Sequence, residues 1–436
     1  MKMNEKSLRV ARPVLVAATM ATLIWASAGS LTPPGGPISS TMKDLATVEP
    51  RIPISAATTP GDDDSLYKIT SPGSYYLVGN IDGVENKMGI EIAADGVTLD
   101  LMGFDLAGVP GSMQAVAVMG ASTNIAIHNG SVHDWDWVCV DASFTTGTRL
   151  TDLSIRDCLL YGIIAGDRAI VTRCLTNTNG FHGISADGGS VITNCSARNS
   201  ESDGIAADSS TIVNSSASQN GRDGISGFGS TIINCSAYNN GRNGISTGFA
   251  GEGSAIIDCV AGGNTDAGIE AVKSTIKNCT LYQNLGDGIS ADGCSITNCT
   301  SAFNQGNGIL ADRSEITGCT VGENGADGLH IGENCTVLTN ACNSNGFDGA
   351  GIYVTTGGNR IEDNHCTGNG RGIDVGSAGN LIVRNSCSSN STNYEIVAGN
   401  RYGPIIDVTA GGTLAVSGNS APSTLTSTDP SANYAY

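Results

Sequence analysis

The sequence predicts an all-β protein, a right-handed parallel β-helix (solenoid) of about 12–13 coils with a short C-terminal cap. A Gly followed by Ile or Leu recurs every 20–24 residues, a period that suits one coil of a solenoid. Within each period, short apolar/polar alternations end in Gly, Asn or Asp, which tolerate the left-handed backbone of tight corners. Helical periodicity is absent, so strands fill the coils. The recurring glycines are Gly162, Gly183, Gly204, Gly224, Gly244, Gly268, Gly288, Gly308, Gly328, Gly351 and Gly372.

The N-terminal segment has the pattern of a secretory signal peptide. Four basic residues precede an apolar run from Val14 to Trp25, and the small residues Ala26–Ala28 follow as a cleavage site. About 13 apolar residues fall short of the ~20 that a spanning helix needs, which argues against a retained membrane anchor. We therefore expect residues 1–28 to be a signal peptide, and the protein to be secreted, periplasmic or on the cell surface.

Three further segments follow the signal peptide. Residues 29–61 are rich in proline and lack the repeat, so we expect a linker. Residues 62–400 carry the repeat and form the predicted parallel β-helix. Residues 401–436 leave the repeat, and we expect them to form a C-terminal cap and tail that protects the open strand edge of the last coil.

The charge of the chain restricts its partners. The net charge of −19 becomes −22 once residues 1–28 are removed, because four basic side chains and one carboxylate leave with them. Such a protein repels nucleic acid and anionic membrane surfaces, so we expect neither as a partner. A polysaccharide or another cell-envelope component remains as the expected partner, and the oligomeric state is left open.

Equivalent positions in successive coils form columns along the axis, about 4.8 Å apart. Two columns consist largely of asparagine, whose stacked amides can hydrogen-bond to the coils above and below. The first contains Asn194, Asn214, Asn234, Asn278 and Asn298, with Asp258 in the same column. The second contains Asn220, Asn240, Asn264, Asn284, Asn304, Asn324, Asn345 and Asn369.

With these asparagine columns, the chain resembles the right-handed parallel β-helix proteins of the pectate-lyase-like superfamily. It is most similar to exported bacterial β-helix-repeat proteins that open like residues 67–77, continue like residues 96–103 and close like residues 402–407 and 432–434. The resemblance covers residues 62–436. It implies the fold and leaves the activity open, because this group includes enzymes and non-enzymes.

The 14 cysteines follow the coil period rather than a pairing scheme. One column of them indicates stacked, buried, unpaired thiols, because cysteine is among the most often buried residues. A single-file column does not supply the tetrahedral ligands of a metal site. An occasional bridge such as Cys279–Cys299 remains an alternative, because neighbouring coils bring Cα atoms within disulfide range. The column contains Cys195, Cys235, Cys259, Cys279, Cys299 and Cys319.

Candidate catalytic residues precede the Gly-Ile step, where outward-facing side chains vary between coils. In four consecutive coils this residue is Tyr161, His182, Asp203 and Asp223. Stacked one coil apart, they could serve as general acid, base and orienting carboxylate. The alternative is that Asp and Asn recur here as turn residues and that His182 is an incidental substitution.

Candidate substrate-binding residues lie in one short aromatic segment, which holds both tryptophans that remain after signal cleavage. They are His133, Trp135, Asp136 and Trp137. In the predicted register Trp137 takes the glycine slot of its coil and Asp136 precedes it. Flat indole rings can stack on sugars; alternatively, such rings cap the core of a solenoid.

A further column, three residues after each Ile, is acidic. It contains Asp141, Asp187, Asp208, Asp292 and Asp312. Clustered carboxylates can bind Ca²⁺, so a Ca²⁺ site is one alternative and solvated turn residues are the other; the metal ligands stay unassigned and no other cofactor is indicated. Two insertions, Gly248–Glu252 and Gly346–Ala350, are expected to project as loops, where binding usually resides.

Two functions remain open. The first is a secreted, non-catalytic scaffold that binds or presents a surface to carbohydrate; the near-identity of the coils from Gly183 to Gly328 favours it, because an active site normally forces departures from the repeat. The alternative is a polysaccharide-modifying enzyme (lyase, epimerase or glycosidase) that acts in the groove along the helix with His182, Tyr161 and Asp203. A strongly acidic enzyme would bind a polyuronate poorly without bridging Ca²⁺.

Overall fold

The computed structural model describes residues 49–248, 253–407, 416–417, 420–422 and 429–436. The chain divides into Met1–Pro50, of which only the last two residues are described, and a compact unit, Arg51–Tyr436. The predicted signal peptide and most of the insertion Gly248–Glu252 therefore lie outside the described residues. Within the described part, no helix is long and apolar enough to cross a membrane.

Short parallel strands build this unit, as predicted. Each strand pairs in register with the equivalent strand of the neighbouring coils, so that the strands stack into three faces along a shaft. The strands of face 1 are Ser65–Ile69, Met88–Ile92, Val116–Val118, Val140–Thr146, Ile163–Asp167, Ile184–Ala186, Ile205–Ala207, Ile225–Ser226, Ile245–Ser246, Ile269–Val272, Ile289–Asp292, Ile309–Asp312, Leu329–Ile331, Ala350–Val354, Arg371–Val375, Thr392–Ile396 and Val416–Ser417.

Faces 2 and 3 share two long strands, Ala126–His133 and Arg149–Arg156, which run through both. The other strands of face 2 are Ile52–Pro53, Gly73–Tyr76, Val97–Asp100, Ile170–Thr172, Val191–Thr193, Thr211–Val213, Thr231–Ile233, Ala255–Ile257, Thr275–Lys277, Ser295–Thr297, Glu315–Thr317, Thr336–Leu338, Arg360–Glu362, Leu381–Val383 and Arg401–Tyr402. The other strands of face 3 are Ile81–Asp82, Asp105–Ala107, Leu175–Asn177, Ser196–Arg198, Ser216–Ser218, Ser236–Tyr238, Val260–Gly262, Thr280–Tyr282, Thr300–Ala302, Thr320–Gly322, Ala341–Asn343, His365–Thr367, Ser386–Ser388, Ile405–Asp407, Ser420–Pro422 and Asn433–Ala435.

The shaft is longer than the Gly-Ile count predicts. Face 1 has 17 strands within the described residues, so there are about 17 coils instead of 12–13. Before Gly162 the coil of Gly89-Ile90 keeps the Gly-Ile step, and the other coils replace it but pair in the same way: Val140 lies beside both Val116 and Ile163. Their different sequence at this corner hid them from the repeat count.

The ends of the shaft differ in one respect from the predicted segments. The strand Ile52–Pro53 and the buried Ile54 lie inside the predicted linker 29–61, so regular pairing begins about ten residues earlier than expected. At the other end, Asn433–Ala435 pairs with Ser386–Ser388 and adds a strand to face 3.

The core consists of the inward-pointing residues of the three faces. Ile184 and Ala186 are buried and Ser185 between them is partly exposed, so the alternation predicted for this strand is confirmed. Face 2 contributes buried Ile192 and face 3 contributes buried Ala197 in the same coil. The repetition of these residues gives two apolar columns in face 1 and one each in faces 2 and 3.

The predicted asparagine columns are present, and they have different structural roles. The column that starts at Asn220 is buried: the side-chain oxygen of Asn304 accepts the backbone N–H of Asn284 (3.1 Å) and its amide nitrogen Nδ2 (2.8 Å). Asn304 in turn donates through Nδ2 to Asn324 Oδ1 (2.9 Å). The column that starts at Asn194 has φ of 51–55°, because these residues form the left-handed corner of each coil.

The cysteines of the predicted column are buried and unpaired, which confirms the stacked thiols. Cys279 and Cys299 are not bonded to each other, because in-register stacking points their side chains in the same direction. The disulfide in the described part of the chain joins Cys139 and Cys158, which lie on two sides of one corner.

We expect Asn304→Ala to destabilise the shaft by about 2–3 kcal/mol, because it leaves the donors of Asn284 without their acceptor in a buried place. Urea unfolding of the purified protein measures this. The matched control is Gln305→Ala, the exposed amide beside it, which should change the free energy of unfolding by less than about 0.5 kcal/mol. Equal effects of the two variants would contradict a contribution of the buried asparagine column to stability.

Candidate functional site

The coil with the aromatic segment is shifted by two residues from the predicted register. Val140 pairs with Ile163, so Cys139, and not Trp137, occupies the slot of the coil's glycine. Trp137 is instead equivalent to Leu160, whose N–H donates to the carbonyl of Trp137 (3.0 Å). The predicted slot was wrong because Cys139-Val140 replaces the Gly-Ile step in this coil.

Trp135 is a core residue, which corrects its prediction as a substrate-binding residue. Its ring is fully buried, and its Nε1–H donates to the carbonyl of Leu106 (3.1 Å). Two glycines make room for it: a Cβ on Gly89 would lie 2.9 Å from the ring, and one on Gly83 would lie 3.2 Å from it. A ring in this position has no surface to offer a sugar.

Trp137 belongs to an exposed apolar strip that continues over three coils. We call Trp137, Leu159, Leu160 and Phe181 the apolar strip; each is between 37% and 61% exposed. Phe181 donates its N–H to the carbonyl of Leu160 (2.9 Å), so the side chains stack coil on coil. Sequence reasoning missed Leu159, Leu160 and Phe181. The available signal was the run of large apolar residues in slots that later coils fill with polar or small ones, such as Ser202.

An acidic groove of about 680 Å³ adjoins the strip. Its carboxylates are Asp134, Asp136, Asp157 and Glu201, and Leu159 is part of its wall. We call it the N-terminal groove. Asp136 accepts the backbone N–H of Gly111 through Oδ2 (2.6 Å), which holds that carboxylate in place.

His133 supports this groove from the side. Its Nδ1 lies 2.6 Å from Asp134 Oδ2, and its Nε2 lies 2.7 Å from Asp105 Oδ2. Both ring nitrogens are therefore engaged with carboxylates. His133 positions Asp134 and has no free nitrogen for a ligand in this arrangement.

The predicted catalytic residues do stack on consecutive coils, and they form a hydrogen-bonded ladder. Asp203 donates its backbone N–H to His182 Nδ1 (3.2 Å). Asp223 donates its N–H to Asp203 Oδ1 (3.0 Å), and Asn243 donates its N–H to Asp223 Oδ1 (2.9 Å). The slot thus calls for a hydrogen-bond acceptor, which accounts for the recurrence of Asp, Asn and His in folding terms.

The environment of His182 keeps its imidazole neutral. The ring packs in a cluster with Phe181 and Tyr161, at centroid distances of 4.2 Å and 5.5 Å, and these two rings also contact each other at 4.8 Å. Burial lowers the pKa of His182 despite the nearby carboxylate of Asp203. Burial also raises the pKa values of Tyr161 and Asp223. A neutral imidazole beside a protonated phenol can exchange hydrogen bonds with a ligand, and its Nδ1 is already used by the ladder.

The acidic column does not gather into a metal site. Asp187 and Asp208 lie on adjacent coils, and burial, together with the carboxylates of Asp167 and Asp208, raises the pKa of Asp187. Asp292 pairs with Arg313, while Asp141 pairs with Ile164 in face 1 and so lies outside this column. Across the described ranges, no group of three or more His, Cys, Asp or Glu side chains could hold a metal ion.

A second groove, of about 640 Å³, lies near the C-terminal end of the shaft; we call it the C-terminal groove. The insertion at Gly346 forms a loop beside it, as predicted, and Phe347 at its tip is 97% exposed. Phe303 lies in the same groove and is also exposed. Arg371 Nη2 donates to the carbonyl of Asp348 (3.0 Å) and holds the loop.

The family model for the right-handed β-helix region matches residues 137–275 and 271–421, more than half of the chain. The chain belongs to the right-handed β-helix family. This match confirms the predicted fold and the family resemblance. No curated protein matches the sequence.

Several solved structures resemble this right-handed β-helix at low sequence identity. Gene product 12 of bacteriophage phi29, in its pre-mature form, is 13% identical, with a TM-score of 0.50 over 79% of this chain and 56% of that one. The A-module of mannuronan C-5 epimerase AlgE6 from Azotobacter vinelandii is 15% identical over 81% and 92% of the two chains, with a TM-score of 0.37. The receptor-binding protein of bacteriophage Det7, a tailspike, is 11% identical over 72% and 73%, with a TM-score of 0.37. Likeness at this level concerns the fold alone.

The ladder role of His182 predicts a pH effect that His182→Asn removes. Because the folded β-helix lowers the pKa of His182, the unfolded chain takes up a proton more readily below about pH 6.5, and the wild type loses stability as the pH falls. Asparagine keeps the acceptor but does not titrate.

Urea unfolding of both proteins between pH 7.5 and pH 5 tests this. The stability of the wild type relative to His182→Asn should fall over that range, by about 1.4 kcal/mol for each unit by which the pKa is lowered. Parallel pH profiles of the two proteins would contradict a buried, neutral imidazole.

Proposed function

We propose that this β-helix is an exported, non-catalytic protein that binds a neutral polysaccharide along its N-terminal groove. The observation that carries the proposal is the apolar strip, which keeps four large side chains exposed on successive coils beside a groove with four carboxylates. Large exposed apolar patches usually mark binding sites. The signal-peptide pattern of residues 1–28 supports export.

The chemistry of the two surfaces suits a sugar polymer. The faces of Trp137 and Phe181 can stack against the C–H surface of a pyranose ring. The groove carboxylates accept hydrogen bonds, and charged acceptors make the stronger ones to hydroxyl groups. A net charge of −19, or −22 after signal cleavage, disfavours an anionic polymer in the same place.

An enzymatic role for Tyr161, His182, Asp203 and Asp223 is the second candidate. Its support is the contact of the His182 ring with Tyr161, close to the apolar strip. Against it stands the ladder, which uses His182 Nδ1 as an acceptor for the next coil. The enzymatic candidate predicts that the wild type turns over a polysaccharide and that His182→Asn abolishes this activity, whereas the binding proposal predicts no turnover by either protein.

We expect Trp137→Ala to weaken binding to a soluble neutral glucan or mannan by roughly 5–30-fold, the equivalent of ~1–2 kcal/mol for one lost stacking ring. Isothermal titration calorimetry on the mature protein measures the affinity. The matched control is Phe144→Ala, because Phe144 is an exposed aromatic residue of face 1 that lies outside the apolar strip.

Polygalacturonate serves as the anionic comparison and should bind more weakly than the neutral polymers. The proposal is wrong if no neutral polymer binds, or if Trp137→Ala and Phe144→Ala have the same affinity as the wild type.

A further inference from the structure

The two grooves lie on one edge of the shaft, the edge between face 3 and face 1. Leu159 in the N-terminal groove and Gly346 in the C-terminal groove occupy the same slot of their coils. In each coil the N–H of this slot donates to the carbonyl of the residue that precedes the slot one coil earlier, as Gly241 does to Asn220 (2.7 Å). The slot runs through Leu159, Gly180, Glu201, Gly221, Gly241, Thr265, Leu285, Gln305, Gly325 and Gly346. We call this line the edge column.

The edge column runs in a straight line between the two grooves. Gly221, Gly241 and Gly325 place no side chain on it, whereas Thr265, Leu285 and Gln305 are exposed there. This path of bare backbone and exposed side chains connects the coils of the apolar strip with that of Phe347. An extended polymer could follow this path without crossing a side of the shaft.

The C-terminal groove repeats the chemistry of the N-terminal one. Exposed rings of Phe303 and Phe347 lie beside the hydroxyl groups of Ser344 and Ser389 and the carboxylate of Glu323. The loop that carries Phe347 is held by Arg371 and by a backbone hydrogen bond of 3.0 Å from Gly349 to Gly346. A held loop loses little conformational entropy when a ligand stacks on its exposed ring.

We infer that the edge column holds a single neutral glycan chain, anchored at the apolar strip and at Phe347. This inference rests on the proposed function. It adds a second anchor for the glycan and the length of glycan that spans both anchors. Eight coil steps separate the coil of Phe181 from that of Phe347. At ~4.8 Å per step the two anchors are about 38 Å apart.

Two anchors on a rigid shaft predict avidity. Once a long chain binds at one anchor, its second contact is intramolecular, which can raise the overall affinity by roughly 10²–10⁴-fold without any new contact. A short oligosaccharide cannot reach both anchors. It should bind once at each groove, independently and weakly.

Calorimetry with a soluble mixed-linkage β-glucan and with its tetrasaccharide tests this on the mature protein. The wild type should bind two tetrasaccharides, and should bind the polymer at least ~100-fold more tightly. Trp137→Ala and Phe347→Ala should each leave one tetrasaccharide site and each remove most of the polymer's advantage. Phe144→Ala is the control and should behave as the wild type.

The outcomes separate this inference from the proposed function. If the polymer binds no more tightly than the tetrasaccharide, or if only Trp137→Ala weakens it, the second anchor is wrong and the N-terminal groove stands. If neither ligand binds, both ideas fail. A third arm uses chitosan: tighter binding than to the neutral glucan, abolished by salt, would show a cationic ligand and overturn the neutral glycan.

Discussion

The in-register pairing of each coil with the next is the constraint on which the rest of this β-helix depends. It places every side chain about 4.8 Å from its own equivalent, so a residue must be compatible with a copy of itself. Isoleucine satisfies this in the core, as Ile184 and Ile205 do. Buried asparagine satisfies it because one amide carries both a donor and an acceptor, so the Nδ2 of Asn284 donates to the Oδ1 of Asn304.

The same constraint limits where function can reside. Most ladder slots hold an acceptor, although Ala267 and Ala350 also occupy them, and His182 supplies a ring nitrogen in place of a carboxylate or amide oxygen. Side chains in such slots already use an acceptor atom in a hydrogen bond that holds the next coil. On the edge between face 3 and face 1, the slots of Gly180 and Phe181 are different, because they accept glycine, leucine or an inserted loop without breaking the pairing on either side. The exposed rings of Phe181 and Phe347 lie there.

The solenoid makes this edge rigid. Each coil contacts only its neighbours, but continuous pairing from one end to the other keeps distant slots aligned. Residues 166 positions apart in the chain, Phe181 and Phe347, are therefore held on one line. The same alignment of slots is seen at the corner of Cys139 and Cys158, which a disulfide joins. In the next coil the equivalent residues are Gly162 and Asn179, which face each other.

The sequence by itself determined the fold and the columns, because a period of 20–24 residues states which positions repeat. It also identified the segment around Trp137 and the loop at Gly346. Only the tertiary structure decided that Trp135 is buried while Trp137 is exposed, because that depends on the space left by glycines in other coils. Only the tertiary structure showed that the two grooves lie on the same edge. The number of residues in each turn, and not the residue types, sets which corner of the shaft a side chain reaches.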